Sequence, residues 1–377
     1  MEIVIVRPGD SLWSIASRHG TSAEELARIN QLNDRSRLVP KLALLVPSAE
    51  TGSRPGLEVN GYAYPNIAQS VLNETLPYLS YLCPFSYHMT TAGELIPIPD
   101  STMVDAARAN SVAPLLTITN LGESGGFSGD IAHAVFTNQQ VQDRFFENMF
   151  SALHQKPYYG VNFNIEYVYP YDRDSYSQFL RRASEALHAQ GYFLSTAIAP
   201  KESDSQEGLL YTAHDYEAHG RWADRVIIMT YEWGYTYSAP QAVSPVNRIR
   251  RVLEYAVTRI PPGKILMGFS NYGYNWNLPW KQGDAARVIS NAAALNLAIS
   301  AGADIKFDQT AQAPFFTYTD STGQRHVVWF EDVRSVQARL QLVKEFGLAG
   351  ISYWTINQLF RPGLLLLQSM YSVEKLI

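Results

Sequence analysis

The 377-residue sequence has few of the features that mark several classes of protein. Cys83 is the only cysteine, so no disulfide can form within the chain. Charged residues make up 17% of the chain and the formal net charge is −5, which argues against a nucleic-acid partner. No run of about 18 apolar residues predicts a transmembrane helix. The first residues lack the basic and apolar segments of a signal peptide, so we expect no obvious export signal and no membrane partner.

Motifs for metals and cofactors are also missing. No group of His, Cys and Asp has the spacing of a zinc site, and no phosphate-binding loop occurs. No G-x-G-x-x-G follows the first predicted strand, which argues against a doubly wound dinucleotide-binding sheet. We therefore predict neither a metal nor a cofactor.

Apolar and aromatic residues are abundant. Hydrophobic residues make up 46% of the chain, and there are 23 Tyr, 16 Phe and 7 Trp. A large core accounts for most of them, although carbohydrate sites also favour aromatic rings, which stack on the apolar faces of sugars. The length fits a barrel of about 250 residues or more with a small companion domain.

Residues 1–48 form a small unit with the order strand, helix, helix, strand. A strand over residues 2–6 precedes a helix capped by Asp10 or Ser11. Thr21 and Glu24 have the capping-box spacing and open a second helix. A short strand before Pro47 closes the unit. The polar residues 49–56, which include Pro and two Gly, are typical of a linker.

The first unit resembles a LysM module in its GDSLWSIA segment, in Asn30 after the second helix and in the closing LVPKLALLVP. The resemblance implies binding to polymers that contain N-acetylglucosamine, such as peptidoglycan or chitin. A generic small α+β domain is the alternative. One such unit is visible.

Residues 57–377 alternate apolar strands with amphipathic helices, which predicts an α/β protein with a (β/α)8 TIM barrel. Active sites of such barrels lie at the C-terminal ends of the strands. A small α+β insertion is expected at about 275–335, between strands seven and eight, with a hairpin formed by 315–319 and 326–330. The eight predicted strands cover residues 59–62, 81–87, 114–118, 159–166, 193–198, 225–231, 264–269 and 350–354.

The fourth predicted strand, within YYGVNFNIEYV, carries an unusual polar row. Alternation places Asn162, Asn164 and Glu166 on one face and three apolar residues on the other. Such a row can face water or the interior of a barrel. Because neither face of a barrel strand is open to water, we expect the row to point inward, with Glu166 at the barrel mouth.

This segment resembles glycoside hydrolase family 18, whose strand-four pattern D-x-x-D-x-D-x-E reads here Tyr159, Asn162, Asn164 and Glu166. The other family motifs are matched by MTYEW at 229–233, GISYW at 350–354, FSY at 85–87 and YG at 272–273. Combined with a LysM module, the barrel is similar to the spore-cortex N-acetylglucosaminidases of spore-forming bacteria, to which YEWGYTYSAP is also similar.

The resemblance implies a role for each matched residue. Glu166 is the expected general acid and base, Asn164 orients the 2-acetamido group of the substrate and Tyr231 contacts that group. Trp354 forms the floor of the −1 sugar site. Glu232 is either a substrate contact or the partner of an arginine, and Trp233, Tyr235 and Trp276 line subsites or pack in the core. The full set of predicted substrate-binding residues is Tyr62, Tyr87, Asn162, Glu232, Trp233, Tyr272 and Trp354.

Asn164 differs from the family aspartate by a full negative charge. Its loss removes a charge-assisted contact to the transition state, at a cost of about 2–4 kcal/mol. Neutral residues at 162 and 164 also leave burial as the main influence that raises the pKa of Glu166. Asn164 is compatible with an active enzyme, with a binder or with an inactivated form.

We therefore expect a monomeric, retaining peptidoglycan N-acetylglucosaminidase that acts on spore-cortex fragments by substrate-assisted hydrolysis during germination. Its expected partner is cortex glycan, bound by the LysM unit and the barrel cleft, and its expected location is the spore coat and cortex region. The alternative is a non-hydrolytic binder of chitin or peptidoglycan with a degenerate family 18 barrel. An ordinary chitinase is a third possibility.

Overall fold

The computed structural model describes residues 1–48, 52–122 and 124–377. Eight parallel strands form a closed barrel, since each pairs with the next and the last pairs with the first. All eight predicted strands are present. In chain order the barrel strands, numbered one to eight below, are Gly56–Ala63, Tyr81–Pro84, Ala113–Thr119, Gly160–Asn164, Phe193–Ile198, Arg225–Ile228, Ile265–Ser270 and Gly350–Trp354.

Amphipathic helices cover the outside of the barrel. On strand four, Val161 and Phe163 are fully buried in the layer between strands and helices, as the alternation predicts. Short strands Tyr87–Met89, Leu95–Ile96 and Ser372–Val373 extend the sheet. The outer helices are Gln69–Thr75, Ser101–Ala109, Gly129–Thr137, Gln139–Gln155, Arg173–His188, Tyr216–Trp222, Val246–Ala256, Val333–Phe346 and Arg361–Met370.

The insertion between strands seven and eight contains a five-stranded antiparallel sheet and the helix Asn291–Ala301. Its pairing starts at Tyr272, opposite Ser290. The predicted hairpin is confirmed by the antiparallel pairing of Ala313–Thr319 with Arg325–Trp329. In spatial order the strands are Arg287–Ser290, Tyr272–Leu278, Arg325–Trp329, Ala313–Thr319 and Lys306–Asp308.

The N-terminal unit has the predicted βααβ order, with strands Glu2–Ile5 and Ala43–Val46 and helices Leu12–Arg18 and Ala23–Ile29. The first helix is capped by Ser11, as expected.

The cap of the second helix differs from the prediction by one residue. Ser22 is the cap and its hydroxyl accepts from the N–H of Glu25 at 3.1 Å. The N–H of Thr21 instead closes the end of the first helix on the carbonyl of Ala16, so Thr21 belongs to the turn between the two helices.

The N-terminal unit packs directly on the rest of the chain. Asn296, in the insertion helix, accepts from the N–H of Asn33 and donates to the carbonyl of Gln31, each at 2.8 Å. The side chain of Gln31 in turn accepts from the N–H of Arg361 at 2.7 Å. Of the predicted linker, residues 49–51 lie outside the described residues and Gly56 belongs to strand one.

A buried ion pair fastens the end of the insertion to the barrel. Arg339 and Glu331 are 0% and 1% exposed, and Nη2 of Arg339 lies 2.5 Å from Oε2 of Glu331. Arg339 also donates to the carbonyl of Ser244 at 3.2 Å, and Ser270 of strand seven donates to Glu331 at 3.3 Å. Glu331 follows the last strand of the insertion, so these contacts fix where the insertion rejoins the barrel.

Replacing Arg339 by Leu is expected to lower the free energy of unfolding by about 3–5 kcal/mol, because Glu331 is left buried without a counter-charge. Chemical denaturation monitored by tryptophan fluorescence measures the change. Arg250→Leu is the matched control, since its pair with Glu345 is exposed and its loss should change stability little. Equal effects of the two substitutions would contradict the prediction.

Candidate active site

A cavity of about 270 Å³ lies at the C-terminal mouth of the barrel. Two further cavities share lining residues with it, one of about 420 Å³ toward the insertion and one of about 410 Å³ toward strands two and three. Trp354, at the end of strand eight, lines all three. The three adjoining cavities are together called the cleft below. The central cavity holds six residues of the sequence-predicted site, Asn164, Glu166, Tyr231, Glu232, Trp233 and Trp354.

Glu166 lies at the wall between the central cavity and the cavity toward strands two and three. Strand four ends at Asn164, two residues earlier than predicted, so Glu166 projects from the turn that follows. Burial, together with the negative charge of Glu232, raises the pKa of Glu166 to about 8. A carboxyl group with such a pKa holds a proton near neutral pH and can donate it, as a general acid must.

Glu232 is the second carboxylate of the cavity. It accepts hydrogen bonds from the hydroxyls of Tyr272 and Tyr274, the latter at 3.0 and 3.2 Å, and not from an arginine. Burial raises its pKa, and the hydrogen bonds from the two tyrosines oppose the rise. Burial is the larger influence on the pKa of Glu166, as expected from the neutral residues at 162 and 164, but the expectation that no like charge contributes is wrong, because Glu232 follows strand six.

Asn164 offers an unused acceptor to the cavity. The residue is 2% exposed, and its Oδ1 has no hydrogen-bond partner among the residues that the structure describes. A buried carbonyl oxygen without a donor is costly, so the site favours a ligand that brings an N–H or O–H group to this point.

Asn162 and Tyr62 lie beneath the cavity. Asn162 is fully buried, accepts from the hydroxyl of Tyr62 at 2.8 Å and donates to the hydroxyl of Ser195 at 2.8 Å. Tyr62 is 1% exposed and packs edge-on against Trp354, with ring centroids 5.4 Å apart. Asn162 and Tyr62 therefore support the floor of the site. Their direct contact with a substrate stays a prediction, and their burial does not favour it.

Tyr231 and Trp354 provide the aromatic walls of the central cavity. Burial, followed by the charge of Glu166 and then that of Glu232, raises the pKa of Tyr231 well above its ordinary value, so its hydroxyl keeps its proton. The ring of Trp354 is fixed by edge contacts with Phe85 and Tyr64, at centroid distances of 4.8 and 5.9 Å.

Tyr87 and Trp276 lie outside the cleft, and Trp276 takes the core position that was one of its two alternatives. Tyr87 faces the helix layer, where its hydroxyl accepts from Lys156 at 2.9 Å, and its neighbours Ser86 and His88 line the cleft instead. Trp276 is fully buried in a strand of the insertion, and its indole N–H donates to the carbonyl of Ser238 at 2.8 Å.

Tyr272 lies at the cleft, and Tyr235 lies at the surface. Tyr272 lines the cavity toward the insertion, where its hydroxyl donates to Glu232. Tyr235 is 42% exposed.

The sequence reasoning missed the loop after strand five, which brings Pro200, Leu210 and Tyr211 to the cavity wall. The length of this connection, from the end of strand five to the helix that starts at Tyr216, was the available indication. It also missed Asn120, whose side chain contacts the backbone of Glu166.

Within residues 1–48, 52–122 and 124–377, no group of three or more His, Cys, Asp or Glu residues could hold a metal ion. Likewise, no helix of that part of the chain is both long and apolar enough to span a membrane.

Comparisons with known proteins agree with the geometry. Residues 101–358 match the model of glycosyl hydrolases family 18. The chain belongs to glycosyl hydrolase family 18. It is therefore a glycoside hydrolase by family, and residues 4–47 match the LysM domain model. Both parts belong to families that act on or bind glycans.

Sequence similarity to known relatives extends over the whole chain. It is 41% identical to the cortical fragment-lytic enzyme of Bacillus subtilis (strain 168) and 38% identical to that of Bacillus anthracis, across 100% of this chain and 99% of each relative. Among solved structures, the spore cortex-lytic enzyme SleL of Bacillus megaterium QM B1551 has a TM-score of 0.95 and 31% identity, over 100% of this chain and 99% of that one. The Bacillus cereus SleL structure has a TM-score of 0.83 and 37% identity, over 99% and 87%.

Activity is expected to persist below pH 8 and to fall as the pH rises through about 8, because Glu166 must be protonated to act as an acid and its pKa is about 8. Glu232→Gln removes the neighbouring negative charge, which should lower the pKa of Glu166 and move the basic limb of the profile to lower pH. The measurement is kcat/KM against pH for both forms. A basic limb that stays in place in the Gln variant would show that Glu232 does not act on Glu166.

Proposed function

We propose that this family 18 hydrolase is a retaining N-acetylglucosaminidase that acts on spore-cortex peptidoglycan fragments. The observation that carries the proposal is the unpartnered, buried oxygen of Asn164 in the same cavity as the protonated Glu166. A 2-acetamido group has an N–H that can donate the hydrogen bond missing at this oxygen. The relatives named for cortex lysis, which match along the whole chain, support cortex as the source of the glycan.

The proposed reaction uses the substrate as its own nucleophile, as is known for this class of glycosidase. Glu166 donates its proton to the glycosidic oxygen as the bond to the anomeric carbon breaks. The oxygen of the substrate acetamido group attacks that carbon from the opposite face and forms an oxazolinium ion. Water, deprotonated by Glu166, then opens this ion, so the product keeps its anomeric configuration.

The cavity supplies the remaining requirements of this reaction. Asn164 accepts from the acetamido N–H and turns the acetamido oxygen toward the anomeric carbon. Tyr231 keeps its proton and can donate to the same group, while Trp354 lies under the sugar ring. Glu232 provides negative charge near the oxazolinium ion in place of the missing strand-four aspartate.

The LysM unit is proposed to hold the same glycan outside the cleft. Its contacts with Asn296 and Arg361 fix it to the insertion and to the helix after strand eight. We further propose that the chain acts as a monomer in the region of the spore coat and cortex. The support is that the LysM unit and the cleft, the two glycan-binding parts, both lie on one chain.

The decisive assay measures reducing ends released from purified cortex fragments and from chitin oligomers. We expect release by the unmodified chain and a rise in kcat/KM on the order of 10²-fold in Asn164→Asp, since the restored charge is worth about 2–4 kcal/mol in the transition state. Glu166→Gln should lower the rate by about 10²- to 10⁴-fold.

Two outcomes would count against this function. Release by neither the unmodified chain nor Asn164→Asp would leave a glycan-binding protein. Release from chitin oligomers alone would exclude cortex as the substrate. Glu166→Gln serves as the matched control, because it preserves the size of the side chain and removes its acid function.

A further inference from the structure

Glu166 lies beyond the end of strand four, so its backbone is not part of the barrel sheet. The ladder between strands three and four ends with the pair Thr119 and Asn164. Glu166 comes two residues later, and the next residue, Tyr167, has a φ of +55°, so the chain turns sharply there. Strand pairing therefore cannot hold the peptide groups of Glu166, and buried peptide groups need other partners.

Asn120, the residue after strand three, supplies those partners. Its Oδ1 accepts from the N–H of Glu166 at 3.0 Å, and its Nδ2 donates to the carbonyl of Glu166 at 2.6 Å. The second hydrogen of the amide goes to the carbonyl of Ser128 at 2.9 Å. Asn120 is 0% exposed, so these bonds are sheltered from water and all its donors are used.

His214 holds the Ile165–Glu166 peptide group at its carbonyl end. Its Nδ1 accepts from the N–H of Ala199 at 2.9 Å, and its Nε2 lies 2.9 Å from the carbonyl of Ile165. Because a backbone N–H can only donate, Nδ1 must be unprotonated and Nε2 carries the hydrogen that Ile165 accepts. Burial lowers the pKa of His214 to about 4, which keeps the ring neutral in this tautomer.

The carboxyl group of Glu166 has no such support. No residue of the described chain donates a hydrogen bond to it. Glu166 lines both the central cavity and the cavity toward strands two and three. Hydrogen bonds therefore hold the backbone of Glu166 and not its carboxyl group. An error of about 1 Å in a reacting group can cost on the order of 10²-fold in rate.

We propose that Asn120 is a positioning residue of the catalytic site, which, with His214 opposite, places the carboxyl group of Glu166 at the glycosidic oxygen. The proposal rests on the proposed function, in which Glu166 is the acid. It assigns Asn120 no contact with the substrate. Its action on the reaction passes through the backbone of Glu166.

The test separates proton donation from general damage by changing the leaving group. Two substrates are compared: a chitin oligomer, whose sugar leaving group needs a proton, and 2,4-dinitrophenyl N-acetylglucosaminide, whose leaving group needs almost none. In Asn120→Ala we expect kcat/KM to fall by about 10²-fold on the oligomer and much less on the aryl glycoside. KM for the oligomer should hardly change, so the loss lies in kcat.

Gln142→Ala is the matched control. The side chain of Gln142 is also buried, and its amide donates to the carbonyl of Val135 at 3.0 Å and accepts from Arg182 at 2.8 Å, but it lies among the helices outside the barrel. Its replacement should lower the melting temperature without changing kcat/KM on either soluble substrate. If Asn120→Ala does not fold, the isosteric Asn120→Asp, which keeps only the bond to the N–H of Glu166, should show the same dependence on the leaving group.

Equal losses on the two substrates in the Asn120 variants would overturn the proposal, because a misplaced acid cannot affect a leaving group that needs no acid. Hydrogen exchange of the peptide that contains Glu166 gives a second readout, independent of activity. We expect faster exchange there in Asn120→Ala, with no change on strand five. If the unmodified chain cleaves neither substrate, the proposed function fails, and unchanged exchange would then overturn the role of Asn120 as well.

Discussion

Pairing between the last and the first barrel strand is the interaction on which the rest of the structure depends. Strand eight runs beside strand one in parallel register, Gly350 opposite Glu58 and Tyr353 opposite Gly61. A Cβ atom at Gly350 would lie 1.8 Å from the carbonyl oxygen of Glu58, so this approach requires glycine. Closure brings Trp354 against Tyr62 from the opposite end of the chain and leaves no edge open in the barrel.

The same closure explains why the polar row of strand four could be read from the sequence. Side chains on a strand alternate strictly, and both faces of a closed barrel are defined, so the row had to point inward. The structure places Asn162 and Asn164 there. The barrel strands, the insertion and the first helix cap could be predicted by the same local reasoning, since each depends on residues close together in sequence.

Alternation failed where a strand is interrupted. Strand two ends at Pro84, and pairing resumes only at Tyr87, opposite Ile118. A reading that treats residues 81–87 as one strand puts Tyr87 on the wrong side. The partners of Glu232 were inaccessible for another reason. Tyr272 and Tyr274 reach it because the insertion folds back over the cleft, and no local pattern near Glu232 indicates that fold. The hydrogen bonds of Asn120 to Glu166 are equally non-local, since 46 residues separate them.

The fixed packing of the N-terminal unit on the insertion sets its geometry relative to the catalytic cleft. A module on a free tether samples many orientations, and only the average distance to the catalytic cleft is set. Here hydrogen bonds from Gln31 and Asn33 to the insertion and to Arg361 hold the unit in one place. The angle and the separation between the two parts are thereby constant. A glycan strand that occupied both parts would therefore span a constant distance at a constant angle.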